Sequence, residues 1–174
     1  MKKIEIDVFS SESIENAIKQ LDSYAKEIER KTELLRIKVA ERIATEVEIG
    51  FRMATTSDMV KGSPPPNDTS VYVRNEGNTS VIVANGTQIM WIEFGAGVYH
   101  NGSVGSSPHP KGSELGMVIG GYGKGKGKRR VWGYVESEGD ELKLTRGTPA
   151  QMPMLKAVNT VLNEIPDIAR EVFK

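Results

Sequence analysis

The sequence predicts an α+β domain, in which a small antiparallel sheet of two hairpins plus an N-terminal strand is packed by a long N-terminal helix and a C-terminal helix. Three observations lead there. Apolar residues recur at three- and four-residue steps over residues 14–51 and again over 154–172, the spacing of a buried helix face. Shorter runs before and between them alternate apolar with polar, the period of a half-buried strand. Many of the 18 glycines and 8 prolines fall between residues 60 and 150, which marks that stretch as turns and loops. A length of 174 residues suits one domain, 1–174, with a core of its own.

Each element has its own signal. In residues 3–9, Ile4, Ile6 and Val8 alternate with Glu5 and Asp7, which reads as the N-terminal strand. Ser11 or Ser13 is then placed to cap a helix. Its apolar stripe runs from Ile14 through Ile28 to Leu35, Val47 and Phe51, with no proline or glycine between residues 11 and 49. A continuous helix of about 40 residues spans roughly 60 Å, longer than a domain of this size is wide. A long or gently broken helix is the reading, with part of its length needing partners. Residues 54–69 hold Gly62, Pro64, Pro65 and Pro66, which predicts a flexible loop. Val71, Val73, Val81 and Val83 flank Asn75-Glu76-Gly77-Asn78 as a hairpin. Residues 88–94 form an apolar run read as a two-turn helix stopped by Gly95. Residues 95–130 form a second flexible loop, rich in glycine and too long to lack a purpose. Residues 130–135 and 141–144 pair around Glu138-Gly139-Asp140. Pro153 opens the last helix, and Pro166 should kink or split it.

Composition removes several function classes. Lys plus Arg and Asp plus Glu both number 23, so no global field draws the chain to nucleic acid or membrane. The absence of cysteine excludes disulfides, thiolate metal sites and a cysteine nucleophile. No apolar leader follows Met1 and no membrane-length apolar run occurs, so a cytoplasmic product is expected.

Several local features bear on chemistry. The run from Gly120 to Arg130 resembles a phosphate loop in spacing, but Gly127 stands where a magnesium-binding Ser or Thr belongs, and a strand follows it where a helix is needed. Its Lys124, Lys126, Lys128, Arg129 and Arg130 are candidates for contact with a DNA backbone, with Tyr122 and Trp132 nearby to stack; a solvated basic loop is the plainer reading. His100 and His109, nine residues apart in a Gly/Ser-rich segment, lack metal-ligand spacing and read as surface loop residues. Glu93 has no partner near it in sequence for acid–base work, and a structural carboxylate capping a turn is the better reading. No catalytic, cofactor or metal set is therefore expected, and the chain reads as no enzyme.

Two segments, residues 90–97 (Met-Trp-Ile-Glu-Phe-Gly-Ala-Gly) and residues 145–157 (Thr-Arg-Gly-Thr-Pro-Ala-Gln-Met-Pro-Met-Leu-Lys-Ala), together resemble the neck and tail-completion (head–tail joining) proteins of tailed bacteriophages, related to the minor tail protein Z group. In that family a long helix, a hairpin, a Glu-Phe-Gly turn, a variable loop and a Pro-Ala-Gln entry to the last helix follow in this order. Here Met152-Pro153-Met154 replaces the usual Gln-Pro-Phe. The motif residues carried over are Trp91, Glu93, Phe94, Gly95, Pro153 and Leu155, structural rather than catalytic. The resemblance implies a structural virion protein at the head–tail junction, assembled in the bacterial host cytoplasm. It would be a homo-oligomeric ring, six-fold to match a tail tube, contacting other neck and tail proteins around double-stranded DNA. The rivals are a tail-terminator ring protein, a DNA-binding module using the Lys124–Arg130 loop and, last, a small hydrolase using Glu93 and His100.

Overall fold

A computed structural model describes residues 4–97, 107–112, 114–115 and 131–174. The expected contacts of Lys124, Lys126, Lys128, Arg129 and Arg130, and the readings of His100 and Tyr122, lie outside the described residues. The element order is α1 (Ser11–Arg52), β1 (Met59–Lys61), β2 (Ser70–Glu76), β3 (Thr79–Asn85), α2 (Ile89–Phe94), β4 (Ala96–Gly97), β5 (Trp132–Tyr134), β6 (Lys143–Thr145), β7 (Gly147–Thr148) and α3 (Pro153–Val172). The fold is α+β.

The first helix is continuous over 42 residues. Its cap is Ser10, whose side chain accepts from Ser13 N at 3.2 Å, so the cap is neither Ser11 nor Ser13 but lies one residue ahead of Ser11. The Ser13 hydroxyl in turn accepts from Asp7 N at 2.9 Å. That exchange explains why the expected N-terminal strand is absent. The backbone N–H groups of Asp7 and Phe9 are taken by the Ser13 hydroxyl and the Asp7 carboxylate, and Ile6, Val8 and Phe9 stay exposed. Alternation alone does not make a strand where no sheet edge is offered.

Among the described residues the strands form three separate antiparallel ladders, not one sheet: β1–β6–β5, β2–β3 and β4–β7. The β2–β3 hairpin runs in register from Ser70↔Asn85 to Glu76↔Thr79. Its two-residue loop begins with Gly77 at φ 54°, where a tight hairpin favours glycine. The expected second hairpin is β5 with β6, its turn passing through Gly139 at φ 95°. Segment 54–69 contributes β1, a strand that the proline-rich composition concealed.

Helix α3 runs antiparallel to α1. Gly50 lies against Pro153, Arg42 pairs with Glu164 at 2.8 Å, and Lys38 with Glu171 at 3.6 Å. The second cation of that row, Arg42, also binds Glu46, and the two carboxylates hold its guanidinium above its ordinary pKa. The core lies between α1, α3, α2 and the β2–β3 hairpin, centred on Val47, Phe51, Ile89, Ile92 and Ala157. Pro166 does not split α3, which passes through it as one element.

Candidate functional site

The two motif segments, more than 45 residues apart in the chain, meet at one junction. Its need arises from α3 itself. The residue before α3 is Met152, held in the left-handed conformation at φ 54°, with no side-chain acceptor to offer. A helix start leaves its first N–H groups without partners, and here α2 supplies one. Both carboxylate oxygens of Glu93 reach across: Oε2 accepts from Met154 N at 2.9 Å and Oε1 from Leu155 N at 3.1 Å. The residue is only 4 % exposed, so a negative charge sits in low dielectric at the positive end of α3.

His109 completes this cluster. It is buried, with its ring centroid 4.4 Å from that of Phe94. Its Nδ1 accepts from Lys111 N at 3.0 Å, which leaves the ring proton on Nε2, and Nε2 lies 3.3 Å from Glu93 Oε1. The expectation of a surface histidine is thus corrected: His109 turns inward between Pro108 and Pro110, which both stay exposed. Ser107 closes the same turn by donating to Phe94 O at 2.5 Å.

The rest of the second motif holds segment 54–69. Gln151 N donates to Ile92 O at 2.8 Å. Its side-chain amide accepts from Thr55 N at 2.9 Å and donates to Thr55 O at 2.8 Å, standing in for a strand neighbour. Thr145 is 1 % exposed. Its hydroxyl donates to Asp58 O at 2.9 Å and accepts from Gly147 N at 2.8 Å. That single proton being committed, Ser57 is the donor in the 2.6 Å contact between their hydroxyls. Arg146 and Asp58 pair at 3.2 Å on the surface. Gly147 takes φ 107° beside this network, and β7 then pairs with β4, tying the glycine turn after Phe94 to the second motif.

Beside the junction lies an open cleft of about 290 Å³ lined by Trp91, Trp132, Tyr134, Thr56, Pro65 and Thr148 among others. The rings of Trp132 and Tyr134 lie 5.5 Å apart. The Tyr134 hydroxyl is buried without a hydrogen-bond partner among the described residues. Burial, and then the nearby Glu136, push that phenol above its ordinary pKa. Lys143, on β6, is raised by its 2.8 Å bond to Glu136. Among the described residues the cleft presents aromatic surface, not a nucleophile beside a base.

Of the sequence-derived residues, the structure brings Glu93, Phe94, Pro153 and Leu155 together. Gly95 ends α2 at φ 82°, and Trp91 lines the cleft on the other side. Sequence reasoning missed the roles of His109, Thr145 and Gln151, because each depends on a partner far away in the chain: Glu93 and Phe94, Asp58, and Thr55. Among the described residues no group of three or more His, Cys, Asp or Glu is placed to hold a metal. No described helix is long and apolar enough to cross a membrane. No protein-family model, no curated protein and no solved structure matches the chain.

Proposed function

We propose that this chain is a structural subunit of a tailed-bacteriophage head–tail junction, a neck or tail-completion ring protein acting by assembly and not by catalysis. One observation carries the reading. The Glu-Phe-Gly segment and the Pro-Ala-Gln segment, which together resemble that family, interlock at one buried junction through Glu93, Gln151 and the β4–β7 pair. The polar groups there are spent on backbone. Glu93, the carboxylate best placed for acid–base work, has both oxygens engaged by the start of α3. A rigid body of this kind, with Ile18 and Leu21 exposed on the first third of α1, suits a subunit that meets neighbours on several sides.

The test is genetic and structural. In a phage encoding this chain, disrupting its gene should leave DNA-filled heads and complete tails that do not join, and adding the protein back should join them. Negative-stain averages of the joined particles should show added density at the neck. Normal virions without the protein, or loss of tails themselves, would overturn the reading. Neutralising Lys124, Lys126, Lys128, Arg129 and Arg130 should leave joining intact; if it ends both joining and a salt-sensitive DNA affinity, the DNA-binding rival takes its place.

A further inference from the structure

The β2–β3 hairpin leaves one strand edge without any of the features that keep strand edges apart. Among the described residues β3 pairs only with β2. The register closes on Glu76↔Thr79 across the two-residue loop, so those two residues exchange both backbone bonds, and every second pair beyond them does the same. The N–H and C=O groups of Thr79, Val81, Val83 and Asn85 are therefore spent on β2. Those of Ser80, Ile82 and Ala84 point away from β2 in the plane of the hairpin, and no described group bonds them. Edge strands are ordinarily guarded by shortness, bulges, charge or proline. β1 is guarded in this way, with three residues and a register that shifts between Met59 and Lys61. β2 carries Arg74 and Glu76, paired at 2.6 Å in solvent. β3 has no such guard: its seven residues, Thr-Ser-Val-Ile-Val-Ala-Asn, hold no charge, proline or glycine and run in unbroken register. A bare edge of that length and composition is a template for another strand.

We propose that β3 of one copy pairs antiparallel with β3 of a second copy, about a two-fold axis at Ile82, joining two hairpins into one four-stranded sheet. With Ile82 opposite Ile82 of the second copy, Ser80 falls opposite Ala84 and Ala84 opposite Ser80. These are the residues whose backbone groups point outward, so each of those groups gains a partner. A slip of one residue sets outward groups against groups already spent on β2, and a slip of two carries Ser80 or Ala84 past the end of the strand. Ile82 and Ala84 pack on the core, so Val81 and Val83 lie on the opposite, solvent face. There Val81 stands opposite Val83 of the second copy, a β-branched pair on each side of the axis. Charge favours the same edge. β3 brings no charge to the axis, whereas β2 paired with itself about Val73 would set Arg74 diagonal to its own copy. Each chain has one such edge, so the contact is isologous and stops at two copies. It goes beyond the head–tail reading and does not rest on it.

Two double variants test it, both confined to the solvent face of the hairpin. Val81→Glu with Val83→Glu sets like charges opposite each other on both sides of the axis; Val81→Glu with Val83→Lys sets opposite charges there. Light scattering should give the wild-type protein the mass of a dimer that does not rise further with concentration. The like-charge variant should weaken pairing about a hundredfold and run as a monomer with wild-type circular dichroism, and the opposite-charge variant should recover the dimer. Amide hydrogen exchange followed by NMR reads the edge itself. The amides of Ser80, Ile82 and Ala84 should be protected in the wild type and exchange freely in the monomeric variant, while those of Val81 and Val83 stay protected in both. A monomeric wild type, a wild type whose Ser80, Ile82 and Ala84 amides exchange freely, or a like-charge variant that dimerises as the wild type does overturns the proposal. So does a mass that climbs past a dimer, which means that β3 meets β2 or another surface. Where the like-charge variant loses its circular dichroism, the opposite-charge variant decides: its dimer supports the pairing and its monomer overturns it. None of these outcomes bears on head–tail joining, which is read by the genetic test alone.

Discussion

Replacing Glu93 tests whether its carboxylate serves α3 or serves chemistry. Glu93→Ala removes two charge-assisted bonds, at 2.9 Å and 3.1 Å, to the N–H groups of Met154 and Leu155. Met152 has no oxygen with which to take them over. Bonds of this kind contribute about 1.5–3 kcal/mol each, and leaving buried donors unpaired adds to the loss. The two act as one cap and do not simply add, so a destabilisation of about 3–4 kcal/mol is expected. Glu93→Gln keeps one acceptor oxygen but loses the charge and turns an NH₂ toward other donors, which should cost about 2 kcal/mol. Against a typical domain stability of about 5–15 kcal/mol both effects are large. Urea unfolding followed by far-UV circular dichroism and tryptophan fluorescence should show the midpoint falling in the order wild type, Gln, Ala. A change in Glu93→Ala below about 0.5 kcal/mol, the range of ordinary surface substitutions, would refute the capping argument.

Gly50→Ala should destabilise by about 1 kcal/mol: the gain in helix propensity is about 1 kcal/mol, but the new Cβ meets Pro153 Cβ at 2.8 Å, and overpacking costs about 1–3 kcal/mol. A raised melting temperature would mean that α1 and α3 do not approach closely at that point. Tyr134→Phe should be neutral or stabilising by up to ~1 kcal/mol near neutral pH, because the hydroxyl is buried without a partner among the described residues. The folded phenol titrates above the ordinary value of 10.0, so its contribution is fully present below that pH. Stability then falls as pH rises from the unfolded value through the folded one, where only the unfolded chain has given up its proton. The advantage of Tyr134→Phe in urea midpoint should accordingly grow above pH 10, and a constant difference across that range would count against the buried phenol.

Legibility followed locality. The long first helix, the Gly77 hairpin, the short helix ended by Gly95 and the pairing around Gly139 each depend on neighbours within a few residues, and each is present. Residues 3–9 carry a correct strand pattern but sit where their N–H groups are drawn to Ser13 and Asp7. β1 was hidden because three residues next to a proline run become a strand only when β6 arrives beside them. Glu93 was legible as a structural carboxylate from its lack of sequence partners, but not the helix it caps.

The sequence by itself determined which residues are apolar at which period, and hence the helices, the hairpin turns and the two heptad-like stripes of α1 and α3. Only the tertiary structure decided which of those stripes are covered. Val47 and Phe51 are buried against α3 and the hairpin, whereas Ile18 and Leu21, on the same helix and equally apolar, remain in solvent. Only it could show that His109 turns inward and that Glu93 supplies the cap Met152 lacks. The physical reason is that periodicity records what a segment can bury. What it does bury depends on which distant backbone group or face is brought within reach.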